Sequence, residues 1–151
     1  MSIRKALVLN NGQIEQLQTG DTLSSVQDLV AAGNSETGSI VLGQPVYISG
    51  GGSVGLANAD SAGKQRVFGL VYDASISAGV SGSILTDGLV DQADWTAVIG
   101  SATLVPQSVY YLDTTDGQLT AVAPSTGYVV EVGQALSVAV FEIYQKAPIK
   151  L

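Results

Sequence analysis

The chain has 151 residues, 13% of them charged, with a formal net charge of −7 at pH 7 and neither Cys nor His. That length suits one domain with an appended arm, and it can bury a core without disulfides or a structural metal. The two missing residue types exclude disulfides, thiolate metal sites and any Ser-His or Cys-His catalytic pair, and the acidic balance is expected to exclude free nucleic-acid binding.

The first segment, Ile3 to Asp21, holds two short runs on either side of Asn11-Gly12. Asn-Gly is suited to a two-residue hairpin turn, because both central residues take positive φ there. Two strands alone are marginal in water, so this piece is expected to pack on another surface. A helix of about two turns is expected next. Ser24 or Ser25 would cap it, Val26, Leu29 and Val30 would form its apolar face, and Gly33 would end it.

From Gly38 onward the pattern is β. IVLGQPVYIS (40–49) clusters apolar residues around Gly43 and Pro45, and Gly50 to Gly52 form a loop. QRVFGLVYDA (65–74) is a β-branched and aromatic run in which Gly69 signals a bulge or a close backbone approach. Asp87-Gly88 and Asp116-Gly117 are expected to be further hairpin turns. YVVEVGQALSVAVFEIYQ (128–145) supplies two more strands, divided near Gly133. Turn signals every 8 to 15 residues or so fit a sandwich or small barrel. One stretch, Asp91 to Gly100, reads as one or two helical turns capped by Asp91 or Asp94. Its Trp95, the only Trp, is expected to anchor the core rather than to form a binding platform.

The expected fold class is therefore mainly β. It is a compact β-sandwich or small, tulip-like β-barrel, with one or two short helices and an extended N-terminal arm. Residues 1–37 form the arm, with its short hairpin and short helix, and residues 38–151 form the body. No apolar run approaches the roughly 18 residues a membrane helix needs, and no apolar stretch of leader-peptide type follows Arg4 and Lys5.

Catalytic and metal-binding constellations are weak. GGGSVG (50–55) lacks the Lys-Ser or Lys-Thr and the spacing of a phosphate loop. Asp87, Asp91 and Asp94, or Asp113 and Asp116, could offer oxygens to calcium, but no EF-hand spacing is present and Asp is ordinary in turns. Thirteen acids make chance carboxylate pairs certain, and nothing singles out a glycosidase pair. The expectation is a non-enzymatic chain without a cofactor or a bound metal. The six basic residues stand in three pairs, Arg4 with Lys5, Lys64 with Arg66 and Lys146 with Lys150, and every charged residue between Val67 and Gln145 is an acid. Solubility explains this distribution, or the basic ends meet an acidic partner.

The C-terminal third carries a resemblance. Trp95, then Leu104, Tyr110, Tyr111 and Leu112, then Gly117, Leu119, Thr120 and Pro124, then Gly133, Ala135, Leu136 and Ser137, and finally Pro148, Ile149 and Leu151 follow a pattern that resembles a module of tailed-phage virion proteins. The departure is Gln107, where that pattern commonly has Gly; it requires negative φ there or some strain. KALVLNNGQIEQLQTGDTL (5–23) resembles leader segments of phage particle proteins. The resemblance implies a virion structural protein of the head decoration (cement) or head-fibre type. Such a protein would sit on the capsid exterior as a symmetric homotrimer, with the major capsid protein as partner. The arm residues expected to bind it are Ile3, Arg4, Lys5, Leu7, Val8, Leu9, Ile14, Leu17 and Leu23. The alternatives are a tail-fibre or baseplate adaptor that binds a receptor through exposed tyrosines, and, more remotely, a carbohydrate-active enzyme.

Overall fold

The computed structural model describes residues 7–10, 13–16 and 27–151. Two short strands, β1 (Leu7–Asn10) and β2 (Gln13–Gln16), pair antiparallel with Asn10 opposite Gln13. The expected Asn11-Gly12 turn itself lies outside the described residues, as do Ser24, Ser25 and Val26.

The segment expected to be a helix is a strand. β3 (Asp28–Asn34) pairs antiparallel with the long β9 (Ser81–Asp91) from Asp28 opposite Asp87 to Gly33 opposite Ser81. A two-turn helix has little stability of its own, whereas the ladder to β9 pairs six residues, Asp28 to Gly33, so tertiary pairing overrides the 3.6-residue spacing of Leu29 and Val30.

β3 also runs parallel to β6 (Ser53–Leu56), β6 is joined to β5 (Pro45–Gly50), and β5 pairs with β7 (Gly69–Val71). β7 then pairs with β9, Leu70 opposite Leu85 and Val71 opposite Ile84, which closes a five-stranded barrel. Each barrel strand sends one residue into a common core: Ala32, Val46, Val54, Val71 and Ile84. Ile40 and Ile76, from the small ribbon β4 (Ile40–Val41) and β8 (Ser75–Ile76), complete that core. Buried Asn34 ties β3 to the ribbon. Its amide donates to Gly38 O and Ile76 O, each at 2.8 Å, and its Oδ1 accepts from Glu36 N at 2.8 Å.

Glycines set the tight places. The β5–β6 connection is Gly51-Gly52, with φ of 58° and 79°, and a bulge between Ile48 and Gly50 precedes it. Gly69 is the expected close approach: a Cβ there would strike the Leu85 carbonyl and come 2.7 Å from Ile84 Cγ2. Asp87-Gly88 is not a hairpin turn. β9 continues through it, with Gly88 at φ 128° and a register shift against β3 just before it.

Beyond that glycine β9 joins a second set of strands. Its last residues pair with β14 (Val140–Ile143), Val90 opposite Phe141, and the order continues through β13 (Glu131–Ala135) and β10 (Val109–Leu112) to β11 (Leu119–Thr120). The Asp116-Gly117 hairpin is present between β10 and β11, as a longer loop closed by Asp113 N donating to Gln118 O. The division of the last two strands falls at 136–139, where Ser137 Oγ accepts from Ala139 N and Val140 N, and not at Gly133. Gly133 lies inside β13 because the Phe141 ring of β14 occupies the space a Cβ would need. A last ribbon joins β12 (Tyr128–Val129) to β15 (Ile149–Lys150).

The second core lies between this sheet and the outer face of the barrel. Leu70 and Leu85, each adjacent in sequence to a lumen residue, point out of the barrel and meet Val90, Leu104, Tyr110, Leu112, Val132, Phe141 and Ile143. The helix α1 (Thr96–Ile99) is one turn, and it seats Trp95 in this core, fully buried. Asp94 Oδ1 accepts from Thr96 N and Oγ1, which holds its carboxyl below the usual range. Trp95 packs 5.7 Å from the Phe141 centroid and donates from Nε1 to Ala139 O at 2.9 Å. It is the core anchor the sequence reading expected.

Candidate functional site

The candidate arm residues divide by what the structure describes. Ile3, Arg4, Lys5, Leu17 and Leu23 lie outside the described residues. Leu7, Val8 and Leu9 form β1 and Ile14 lies on β2, with Leu9 opposite Ile14 and Val8 opposite Glu15. The hairpin thus brings four of the nine together. β1 and β2 pair with each other and with no other described strand.

Of the acids considered for calcium, Asp94, Asp113 and Asp116 accept hydrogen bonds. Asp116 receives Lys64 Nζ at 3.3 Å and Asn58 Nδ2 at 2.8 Å, and that bond is the main cause raising the Lys64 pKa. Among the described residues no three acids converge at distances suited to a metal ion. An open cleft of about 500 Å³ is lined by Gln27, Leu42, Tyr72, Ala74, Leu89, Asp91 and Val140. It contains one carboxylate, so the two-carboxyl geometry of glycoside hydrolysis is not built there.

The tyrosines considered for stacking are held in the body. Tyr110 is buried, and its hydroxyl accepts from Val105 N at 3.0 Å. Tyr47, Tyr72, Tyr111, Tyr128 and Tyr144 are half-buried. Lys146 Nζ lies 2.8 Å from Glu131 Oε1 and 5.7 Å from the Tyr144 ring centroid. The lysine holds the Glu131 carboxyl below its ordinary range. Burial first, and then the Glu131 carboxylate, push the Tyr144 phenol up to about 12.

What the body does present is apolar surface at strand edges and turns. Leu29 and Val30 are adjacent on β3, so their side chains leave opposite faces of the strand, yet they are 47% and 41% exposed. Val105, Leu136 and Val138 stand open where the 104–108 loop hydrogen-bonds to the β13–β14 turn, Leu104 N donating to Val138 O and Gln107 N to Ala135 O. Sequence reasoning missed both patches. It placed Leu29 and Val30 on a helix, and the second patch forms only when residues about 30 apart in sequence meet.

The surface therefore offers strand edges and apolar turns for contact. No protein-family model matches the chain, and a comparison with curated proteins finds no match.

Proposed function

We propose that this protein is a non-enzymatic virion structural protein that decorates and stabilises a phage capsid as a symmetric trimer, anchored through its N-terminal arm. The observation that carries the reading is the β1–β2 hairpin, which pairs with no other described strand. An isolated two-stranded hairpin is marginal in water, so its stability is expected to come from a surface it docks on. A closed five-stranded barrel is a stable carrier for such an arm. Three copies around an axis would add weak arm contacts by multivalency. Bridging neighbouring shell subunits raises the barrier to rupture, and no catalytic group is needed for it.

The test is binding of full-length and truncated protein to expanded shells. Deletion of residues 1–23 is expected to abolish decoration; wild-type occupancy by the truncated chain would sink the arm assignment. Copy number in purified particles tests the location. Hundreds of copies fit the head, whereas a few to a few dozen fit the tail-fibre or baseplate alternative.

A further inference from the structure

The first half of β3 is an unfinished strand edge. On one side it pairs with β9 along its length, and on the other β6 reaches it only at Gly33 and Asn34. Asp28, Leu29, Val30 and Ala31 are all exposed, and no other described strand pairs with that side. Among the described residues, the glycine tip Gly50–Gly52 stands in line ahead of β6, and an added Cβ there would meet nothing within 4 Å. An open, apolar strand edge is a ready template for pairing.

The edge is also electrostatically incomplete. Asp28 and Asp87 are register partners, both exposed. Like charges directly opposite on one face of a sheet repel, and a cation beside them relieves the repulsion. The chain itself supplies a matching strand. Arg4 and Lys5 immediately precede the apolar run Ala6–Leu9, so a parallel leader with Lys5 beside Asp28 sets Ala6, Leu7 and Val8 beside the open positions Leu29, Val30 and Ala31. Cations before the strand and acids at the start of β3 fix the direction. The leader must run parallel to β3, continuing upstream the parallel ladder that β6 makes farther on.

We infer that the Asp28–Ala31 edge of β3 receives the leader strand of a second copy of this chain, parallel and with Arg4 and Lys5 beside Asp28 and Asp87. A hairpin has two edges, so the β1 edge can enter the neighbouring copy while the rest of the arm faces the shell. Donor and acceptor surfaces differ, so the contact is head-to-tail, the kind that builds a trimeric ring when the rotation between copies closes. The inference rests on the assembly reading above and names the contact that builds the oligomer.

The test uses the full chain free in solution, without shells. The protein has no Cys, so engineered thiols report without background. Chains bearing Ala6→Cys and differently sized chains bearing Leu29→Cys are mixed and mildly oxidised; neighbouring strands lie about 4.8 Å apart, within disulfide reach. A mixed disulfide between the two chains is expected. Sedimentation equilibrium should show an oligomer. Arg4→Glu with Lys5→Glu should weaken it roughly tenfold, Asp28→Lys with Asp87→Lys should do the same, and the four changes together should restore it. A monomeric wild-type chain overturns the inference. So does an oligomer indifferent to both reversals, or a disulfide that forms only within a chain carrying both thiols. Any of these results leaves the shell-binding assay to decide the decoration reading separately, and a cross-linked oligomer that fails to bind shells would sink that reading alone.

Discussion

Gln107 shows how one residue can hold a turn at a cost. It is the only non-glycine residue at positive φ among the described residues, at 65°. Its amide donates to Ala135 O at 2.8 Å and its carbonyl accepts from Gln134 Nε2 at 3.1 Å, so the surroundings impose the left-handed conformation. That conformation costs an L-residue about 1–2 kcal/mol. Gln107→Gly keeps both backbone bonds and is expected to raise stability by up to about 1 kcal/mol, after the larger entropy glycine loses on folding. Gln107→Val is expected to lower it by at least about 1 kcal/mol, and urea denaturation reads both. The sequence comparison had left negative φ or strain open at this position, and the φ selects the second. A second prediction concerns Tyr144, whose folded pKa is raised to about 12. A raised pKa means that the folded state holds the proton more tightly. The stability it contributes is present below the unfolded value near 10 and is lost as pH rises through 12. Half-burial limits this contribution to about 2 kcal/mol. Tyr144→Phe should flatten the decline in stability between pH 10 and 12, and tyrosinate absorbance should show one phenol titrating late.

At the scale of elements, legibility followed range. Trp95 and its helical turn were readable because Asp94, the tryptophan and the apolar Val98 and Ile99 lie within a few residues of one another. The Asp116-Gly117 hairpin was readable for the same reason. β3 was not, because Leu29, Val30 and Gly33 fit a helix locally and only β9, far along the chain, makes them a strand. Gly88 was misread because aspartate-glycine suits a turn, while here positive φ lets one strand pass from the barrel to the second sheet. Gly133 was misread as a break although its role is close packing. A methyl there would strike the Glu142 carbonyl and come 2.6 Å from the Phe141 ring. Gly133→Ala is therefore expected to cost about 3 kcal/mol. Gly50→Ala, at a tip with open space, should cost less despite its positive φ, and thermal melts of the two variants make the comparison.

For the whole molecule, turn spacing and β-branched runs were enough to indicate a small β body. Barrel closure was illegible because it depends on which distant strands meet. The pairing of β1 with β2 was legible through the Asn11-Gly12 signal, and the open edge of β3 was not foreseen at all. The two cores share β9: Ile84 faces the barrel lumen and Leu85, next to it, faces Trp95's core. Damage to one core should therefore unfold both. Ile84→Ala is expected to cost about 2–5 kcal/mol and to lower the Tm by roughly 5–15 °C. Fluorescence of the lone Trp95, in the other core, should follow the same transition as the far-UV circular dichroism. Two separated transitions would show that the cores melt independently.

The shared strand also sets when the protein can fold during synthesis. Val30 meets Ile84 across the ladder, so β3 leaves the ribosome long before its partner is made. Until β9 emerges, neither the barrel nor the second sheet can close, and β3 waits with its β9 side bare. Topologies dominated by such distant pairings fold slowly, over roughly milliseconds to seconds. During that interval a nascent chain risks adding the wrong strand to β3. The repulsion between Asp28 and Asp87 arises only once β9 is in place, so it offers no protection before then.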